Sequence, residues 1–482
     1  MNTSKPYKKV LYNTSLLTIM QVIGDFSGLI LYVVLSRFYG PEGTGDYAFG
    51  LSVALIVFYL INFGFDDYGI RECSLIDQDK RKILIGRIVA VQLLLLAFVT
   101  ISFISFILLA TPSLENIIVV FSIVVNMVLL AFSKTFFIPL NAQERMIFPA
   151  ISELSMKILN VVTVSLIIIF FKVAVYIALL PYTLFGIFLL IFAFKSFKKN
   201  IGKFKIDFNW KYSVSLIKTI WPFSASQLVH SIYARTGVII LTLLLGNVAT
   251  GIYAPAQKFL EVILMPVVFF NFSTYPVLNK YFQQDYEKFE DSAEKLFRAV
   301  FVIATILMWI LYYLVPLIIV PLLGEKFTAS ILIIKYFAFL IFINSFSVSF
   351  HKLLLSINLQ VLRTKAHFFA LLINFVASFS LIPYFGTKGA VTALIVSETV
   401  MNLLFLFILY KKSYILFKKL FIAFGQFLIS FSIAFASAVL VTFLTVSDWY
   451  AMSVAITLFI VILITTGFMK KFDIKFISML IK

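Results

Sequence analysis

Apolar runs long enough to cross a hydrocarbon core recur along the whole chain, separated by short breaks. This recurrence constrains the fold more than any single motif. A helix needs about 20 apolar residues to cross a core of roughly 30 Å. Runs of that order fall at 11–36, 45–64, 83–109, 115–138, 149–171, 173–194, 215–245, 250–277, 297–323, 328–354, 363–384, 387–410, 418–445 and 448–469. The 482 residues are 62% hydrophobic and only 13% charged, and the mean hydropathy is +1.04. That leaves too little polar side chain to solvate a water-soluble globule of this length. The expected fold is an all-α integral membrane protein of about fourteen transmembrane helices.

The formal charge of +18 is distributed in a way that orients these spans. Alternate breaks collect the basic residues: Lys5, Lys8 and Lys9; Arg71, Lys80, Arg81, Lys82 and Arg87; Lys195, Lys198, Lys199, Lys203, Lys205 and Lys211; Lys280, Lys288, Lys295 and Arg298. The same side then takes Arg363 and Lys365, Lys411, Lys412, Lys418 and Lys419, and finally Lys470, Lys471, Lys475 and Lys482. The other side holds only Arg37, Lys172, Lys326 and Lys388, and no basic residue falls in Thr111 to Glu115, Gly246 to Thr250 or Thr445 to Asp448. The positive-inside rule then places both termini in the cytoplasm. The stretch after Met1 to Val10 is long and lacks a small-residue cleavage site, so it reads as a retained first span.

Basic residues set between apolar runs are topogenic, which argues against a nucleic-acid partner. One cysteine, Cys73, and three scattered histidines offer neither a disulfide nor a metal-ligand spacing, so no cofactor or metal is expected. The outward breaks are short and leave no room for an external catalytic domain, and no Walker motif is present. A transporter is expected rather than an enzyme.

The two halves of the chain echo each other. Leu35 to Ala48 (LSRFYGPEGTGDYA) lies over Leu241 to Ala254 (LTLLLGNVATGIYA) at an offset of 206 residues. Gly40/Gly246, Thr44/Thr250, Gly45/Gly251, Tyr47/Tyr253 and Ala48/Ala254 coincide. A repeat of about six spans keeps its orientation in the membrane, so the halves should relate by an axis along the membrane normal, with a cavity between two bundles. The expected organisation is a six-helix bundle over 1–195, a basic linker over 196–214, a second six-helix bundle over 215–410, and a two-helix hairpin with a basic tail over 411–482.

Ionisable groups deep in a span are costly and are functional candidates. Asp25 falls near the middle of the first span, Arg235 near the middle of the seventh, and Lys258 and Glu261 in the eighth. Gln21, Asp25, Gly28 and Tyr32 share a helical face, as do Ser231 and Arg235, and Lys258 and Glu261 are three apart. Arg235 and Lys258 suit an anionic group such as a phosphate, with Asp25 and Glu261 as coupling or gating partners. The same four charges would also serve as static ion pairs bracing the halves. Asn344, Ser347 and His351, Asn374 and Ser378, and Glu398 and Asn402 would either line a hydrophilic path or hydrogen-bond helix to helix. Glu153 and Lys157, four apart, read as a local pair, Lys134 and Lys335 as snorkelling lysines, and His230 as a buried polar residue.

Three stretches resemble a known family. They are LSRFYGPEGTGDYAFGLSV (35–53) with FGFDDYGIRE (63–72), WPFSASQLVHSIYARTGVIIL (221–241) with GIYAPAQKFLEV (251–262) and FSTYPVL (272–278), and PYFGTKGAVTALIVSE (383–398). In order and spacing they are similar to the polysaccharide-exporter, Wzx-like oligosaccharide flippase branch of the multidrug/oligosaccharidyl-lipid/polysaccharide (MOP) superfamily. The resemblance implies a two-bundle fold in the cell membrane and movement of a polyprenyl-diphosphate-linked oligosaccharide to the outer leaflet. Cationic cavity residues would face the diphosphate. Membrane lipids, a coupling ion and the polysaccharide polymerase machinery are the other partners it implies. A lipid II flippase and an ion-coupled multidrug antiporter of the same superfamily are the alternatives. Many relatives carry an acid two positions after the seventh-span arginine, where this chain has Gly237. Asp25 or Glu261 would have to take that acid's coupling role.

Overall fold

A computed structural model of the chain describes residues 4–110, 114–444 and 448–465. Residues 111–113 and 445–447, parts of the expected breaks at Thr111 to Glu115 and Thr445 to Asp448, lie outside the described residues, as do residues 466–482 with the basic tail. All regular structure among the described residues is helical. The helices are α1 (Ser4–Asn62), α2 (Phe65–Leu75), α3 (Gln78–Ala110), α4 (Leu114–Ala142), α5 (Ile147–Phe171), α6 (Val175–Ala178), α7 (Pro181–Asn200) and α8 (Trp210–Ile263). They continue as α9 (Met265–Gln284), α10 (Tyr286–Trp309), α11 (Val315–Leu323), α12 (Thr328–Ser356), α13 (Gln360–Phe385), α14 (Thr387–Lys412), α15 (Tyr414–Leu444) and α16 (Asp448–Thr465).

Among the described residues, ten helical runs are long and apolar enough to cross a membrane. Two of these, Leu16–Leu75 and Ser224–Gln284, span 60 and 61 residues. At 1.5 Å per residue each is about 90 Å of helix, enough for two crossings. The chain is a multi-pass, all-α membrane protein. It divides into two compact units, Met1–Ala254 and Pro255–Lys482, with the division falling inside α8.

Within the first unit, α1 and α8 are each broken at one glycine. Gly40 adopts φ 66°, ψ −162° and Gly246 adopts φ 82°, ψ −177°. This region of backbone space is open essentially to glycine alone. Pro41 then starts the second arm of α1, where its missing N–H costs nothing. The aligned residues around the two breaks make the same bonds. Thr44 Oγ1 donates to the Gly40 carbonyl at 2.7 Å and to Ser36 Oγ at 3.3 Å. Thr250 Oγ1 donates to the Gly246 carbonyl at 3.2 Å and lies 2.8 Å from Thr242 Oγ1. Ser36 and Thr242 are themselves 206 residues apart.

The two breaks also pack on each other reciprocally. A Cβ on Gly45 would collide with the Asn247 carbonyl, and a Cβ on Gly251 would collide with the Pro41 carbonyl. Each contact becomes the other when the offset is applied. The backbones approach this closely only because both positions lack a side chain, the small-residue logic of membrane helix packing. Asn247 Nδ2 also donates to the Asp46 carboxylate. Elsewhere in this unit the core is aromatic: the ring of Phe136 lies 5.4–5.7 Å from those of Phe194, Phe197 and Phe204.

In the second unit α10 begins with Asp285 as its N-cap, whose carboxylate accepts from the Lys288 amide at 3.1 Å. The Lys288 side chain bonds the same carboxylate and holds it below the usual carboxylate range. After Trp309 the helix widens into a π-turn over Ile310–Leu314 and resumes as α11. Pro316, which cannot donate and crowds the carbonyl four residues back, accounts for the widening. Helix α15 docks on α10 through buried Arg298, which pairs with Glu294 at 2.8 Å and donates to Gln426 Oε1 at 3.1 Å. Lys419 adds ion pairs to Glu290 and Asp291 at 3.2 and 3.1 Å. A column of stacked rings, Phe301, Phe427, Phe342 and Phe431, continues that seam.

Candidate functional site

Each unit carries two of the four charged residues singled out from the sequence. In the first unit Arg235 lies on the first arm of α8, one turn from buried Ser231, and its charge acts on Tyr47. Tyr47 sits within a tyrosine cluster: its hydroxyl is 3.0 Å from that of Tyr182, and its ring meets Tyr32 edge-on at 5.3 Å. Arg235 thus brings positive charge to a cluster of phenol hydroxyls inside a membrane protein, a setting that suits an anionic oxygen. Gly237, two positions after Arg235, stands 3.0 Å from the Tyr253 hydroxyl, measured from the position of a Cβ. A larger residue there would have to displace Tyr253, which is buried.

Asp25, half-buried on α1, follows Gly24, and the Lys157 side chain of α5 lies 3.6 Å from where a Gly24 Cβ would stand. Lys157 therefore turns toward α1 and does not pair with Glu153. Glu153 instead takes Lys134 of α4, 3.7 Å away, and Lys134 also stands 4.0 Å from Asp66. Asn62 Nδ2 donates to the same Asp66 carboxylate at 3.3 Å, and the ammonium lies 5.8 Å from the Phe58 ring centre. Lys134 is thus the hub of a four-residue polar network. Near it, Asp67 accepts from Gln227 Nε2 at 3.0 Å, and the Phe63 carbonyl accepts from Ser224 Oγ.

In the second unit Lys258 and Glu261 meet at 3.1 Å, as their spacing of three predicts. The polar faces of α12, α13 and α14 make helix-to-helix bonds. Ser347 donates to Glu398, Asn402 Nδ2 to the Ile343 carbonyl at 3.1 Å, and Asn374 Nδ2 to Ser397 Oγ at 3.0 Å. Among the described residues no cluster of histidine, cysteine and carboxylate groups could hold a metal ion. The first unit also has an open cavity of about 260 Å³ lined by Val53, Ile56, Val57, Leu60, Phe98, Val99, Ser102 and Ile239, a surface suited to hydrocarbon.

Residues 10–282, more than half of the chain, match the family of polysaccharide biosynthesis proteins. The chain belongs to that family. The matched segment contains Asp25, Arg235, Lys258 and Glu261. No curated protein matches the chain in sequence. Its fold is similar to that of lipid II flippase MurJ in an inward closed conformation, with a TM-score of 0.70 at 15% identity over 94% of this chain and 99% of that one. An inward-facing multidrug resistance MATE family transporter gives a TM-score of 0.65 at 13% identity, over 82% of this chain and 96% of that one. The MATE multidrug transporter DinF-BH gives 0.59 at 14% identity, over 85% and 97%. This member of the polysaccharide biosynthesis family therefore has the fold of the MOP superfamily, as its sequence resemblance implied.

Proposed function

We propose that this protein flips a polyprenyl-diphosphate-linked oligosaccharide from the cytoplasmic to the outer leaflet of the cell membrane by alternating access. The observation that carries the reading is a pair of cations, Arg235 and Lys258, inside membrane helices of a chain from a polysaccharide biosynthesis family. A diphosphate with its sugars cannot enter hydrocarbon, because its oxygens would lose water without replacement. Arg235, backed by phenol hydroxyls, and Lys258 supply the replacing charge, while the prenyl tail stays in lipid. Glu261 neutralises Lys258 when substrate is absent, and Asp25 serves Arg235 in the same coupling role. Both termini lie in the cytoplasm, and the six-helix plan of 1–195 and 215–410, with a hairpin from 411, is the working organisation.

The test is transbilayer movement of a fluorescent polyprenyl-diphosphate oligosaccharide in proteoliposomes. Wild type is expected to move it, and Arg235→Ala and Lys258→Ala, correctly folded, to slow it at least tenfold. Lipid II, whose headgroup is also joined through a diphosphate, is the second substrate to run, since the lipid II flippase MurJ shares the fold. Efflux of a cationic dye driven by protons or sodium, with no lipid movement, would overturn the proposal in favour of an antiporter.

A further inference from the structure

The basic linker expected over 196–214 is tied down within the Met1–Ala254 unit. Between the last turn of α7 and Trp210, the first residue of α8, the chain has no regular structure from 202 to 209. Gln78 Nε2 of α3 donates to the Asn200 and Ile201 carbonyls at 3.3 and 3.0 Å, and Arg145 donates to Asn200 Oδ1 at 3.1 Å. The Phe204 ring enters the aromatic core, 5.6 Å from that of Phe136 and 5.5 Å from that of Phe197. The Lys205 carbonyl lies against Gly86 of α3, where a Cβ would collide with it. Arg87 closes the strap: its Nε pairs with Asp207 at 2.7 Å, and its guanidinium lies 4.3 Å over the Tyr212 ring. Asn209 Oδ1 then accepts from the Tyr212 amide at 3.1 Å as α8 begins.

The strap turns two kinds of side chain outward. Lys198 and Lys199 on the last turn of α7 and Lys203 and Lys205 on the strap are exposed, and among the described residues none of the four is ion-paired. Directly after them Ile206, Phe208 and Trp210 are 56, 55 and 64% exposed, with the rings of Phe208 and Trp210 6.5 Å apart. Lysines alone would satisfy the positive-inside rule. Outward rings exceed it, since water disfavours them and Phe204 of the same strap is turned inward. A bilayer surface suits both: aromatic rings settle at headgroup level, and lysines beside them meet anionic phosphate. The depth agrees. The seventh expected span starts at 215, five residues after Trp210, and the sixth ends at 194, four residues before Lys198. At 1.5 Å per residue these are about 6–8 Å, the thickness of the headgroup layer on one side of the hydrocarbon core.

We propose that residues 198–210 form an interfacial anchor that binds anionic phospholipid headgroups of the leaflet that charge placement marks as cytoplasmic. Lys198, Lys199, Lys203 and Lys205 take the headgroup phosphates, and Phe208 and Trp210 lie at the boundary with the acyl chains. The strap is fastened to α3 through Gly86 and Arg87 and to α4 through Phe136. Holding it at the surface therefore sets the depth at which those helices stand in the bilayer. This role is independent of what the protein transports.

The test uses the full-length protein in phosphatidylcholine vesicles and reads the fluorescence of Trp210, taken as the difference between wild type and Trp210→Phe. Phosphatidylglycerol or phosphatidylcholine carrying bromine on the acyl chains close to the headgroup replaces the host lipid stepwise. Brominated phosphatidylglycerol is expected to reach half-quenching at a mole fraction about threefold lower than brominated phosphatidylcholine, and high salt to narrow that gap. Lys198→Gln with Lys199→Gln, and Lys203→Gln with Lys205→Gln, should each at least halve the preference. Lys388→Gln, on the side with few basic residues, should leave it unchanged. Unaltered thermal unfolding midpoints establish that the variants are folded. Equal quenching by the two lipids in wild type, or the full preference retained in both double variants, overturns the anchor. Trp210 emission beyond the reach of either lipid and quenched by aqueous iodide overturns it as well, and gives the surface to a soluble acidic partner instead. No flipping assay enters these outcomes, so the anchor and the flippase reading stand or fall separately.

Discussion

At the scale of the residue, the sequence exposed charges but not all of their partners. Lys258 and Glu261 were legible because one helix fixes their spacing. Lys134 was not, because Asp66 and Glu153 reach it from other helices, and Glu153 had a nearer candidate in Lys157. A Lys134→Met variant leaves two carboxylates facing each other without their cation. The cost should be on the order of 2 kcal/mol, below that of a fully buried pair because 31% of the lysine side chain remains exposed. Thermal unfolding of the variant beside Lys134→Met with Glu153→Gln checks it, the second change recovering part of the loss. Glycine substitutions separate strain from collision. Around Gly246 nothing lies within 4 Å of a Cβ, so alanine and serine should each cost about 2 kcal/mol, from backbone conformation alone. At Gly251 the Pro41 carbonyl blocks a side chain, so alanine should cost about 3 kcal/mol and serine more.

At the scale of the element, periodic and positional signals were readable and lateral pairing was not. The alignment of Leu35 to Ala48 with Leu241 to Ala254 paired Gly40 with Gly246, and both helix breaks fall at those glycines. Which helices the polar faces of α12, α13 and α14 would bond to was not legible, since a serine or asparagine can serve a path or a neighbour with the same spacing. The docking of α15 on α10 was equally hidden, because Arg298 and Gln426 are 128 residues apart. Arg298→Met should strand buried Glu294 and destabilise the α10–α15 seam by about 3–5 kcal/mol. Limited proteolysis after Lys418 or Lys419 should become faster in that variant, and Glu294→Gln on top of it should slow cleavage again.

At the scale of the whole molecule, charge placement makes orientation testable with little engineering. Cys73 is the sole cysteine and is buried, so single cysteines can be introduced against a silent background. In intact cells a membrane-impermeant maleimide should label Lys388→Cys and leave Lys412→Cys unlabelled until the membrane is opened, both positions being exposed. The electrical driving force has a sign too. Outward movement of an anion gains about 2.3 kcal/mol per charge per 100 mV of inside-negative potential. Imposing that potential on proteoliposomes should speed outward flipping, and reversing it should slow it. The reciprocal seat of Gly45 on Asn247 and of Gly251 on Pro41 is the pattern of an isologous dimer, in which each surface is its own partner, written into one polypeptide. In a true dimer every substitution strikes both sides of the axis at once. Here Asp46 binds Asn247 on one side, while the equivalent pair on the other is Ile252 and Pro41, whose side chains have no polar atoms with which to repeat that bond. Joining the copies in one chain has freed the two sides of a symmetric joint to differ.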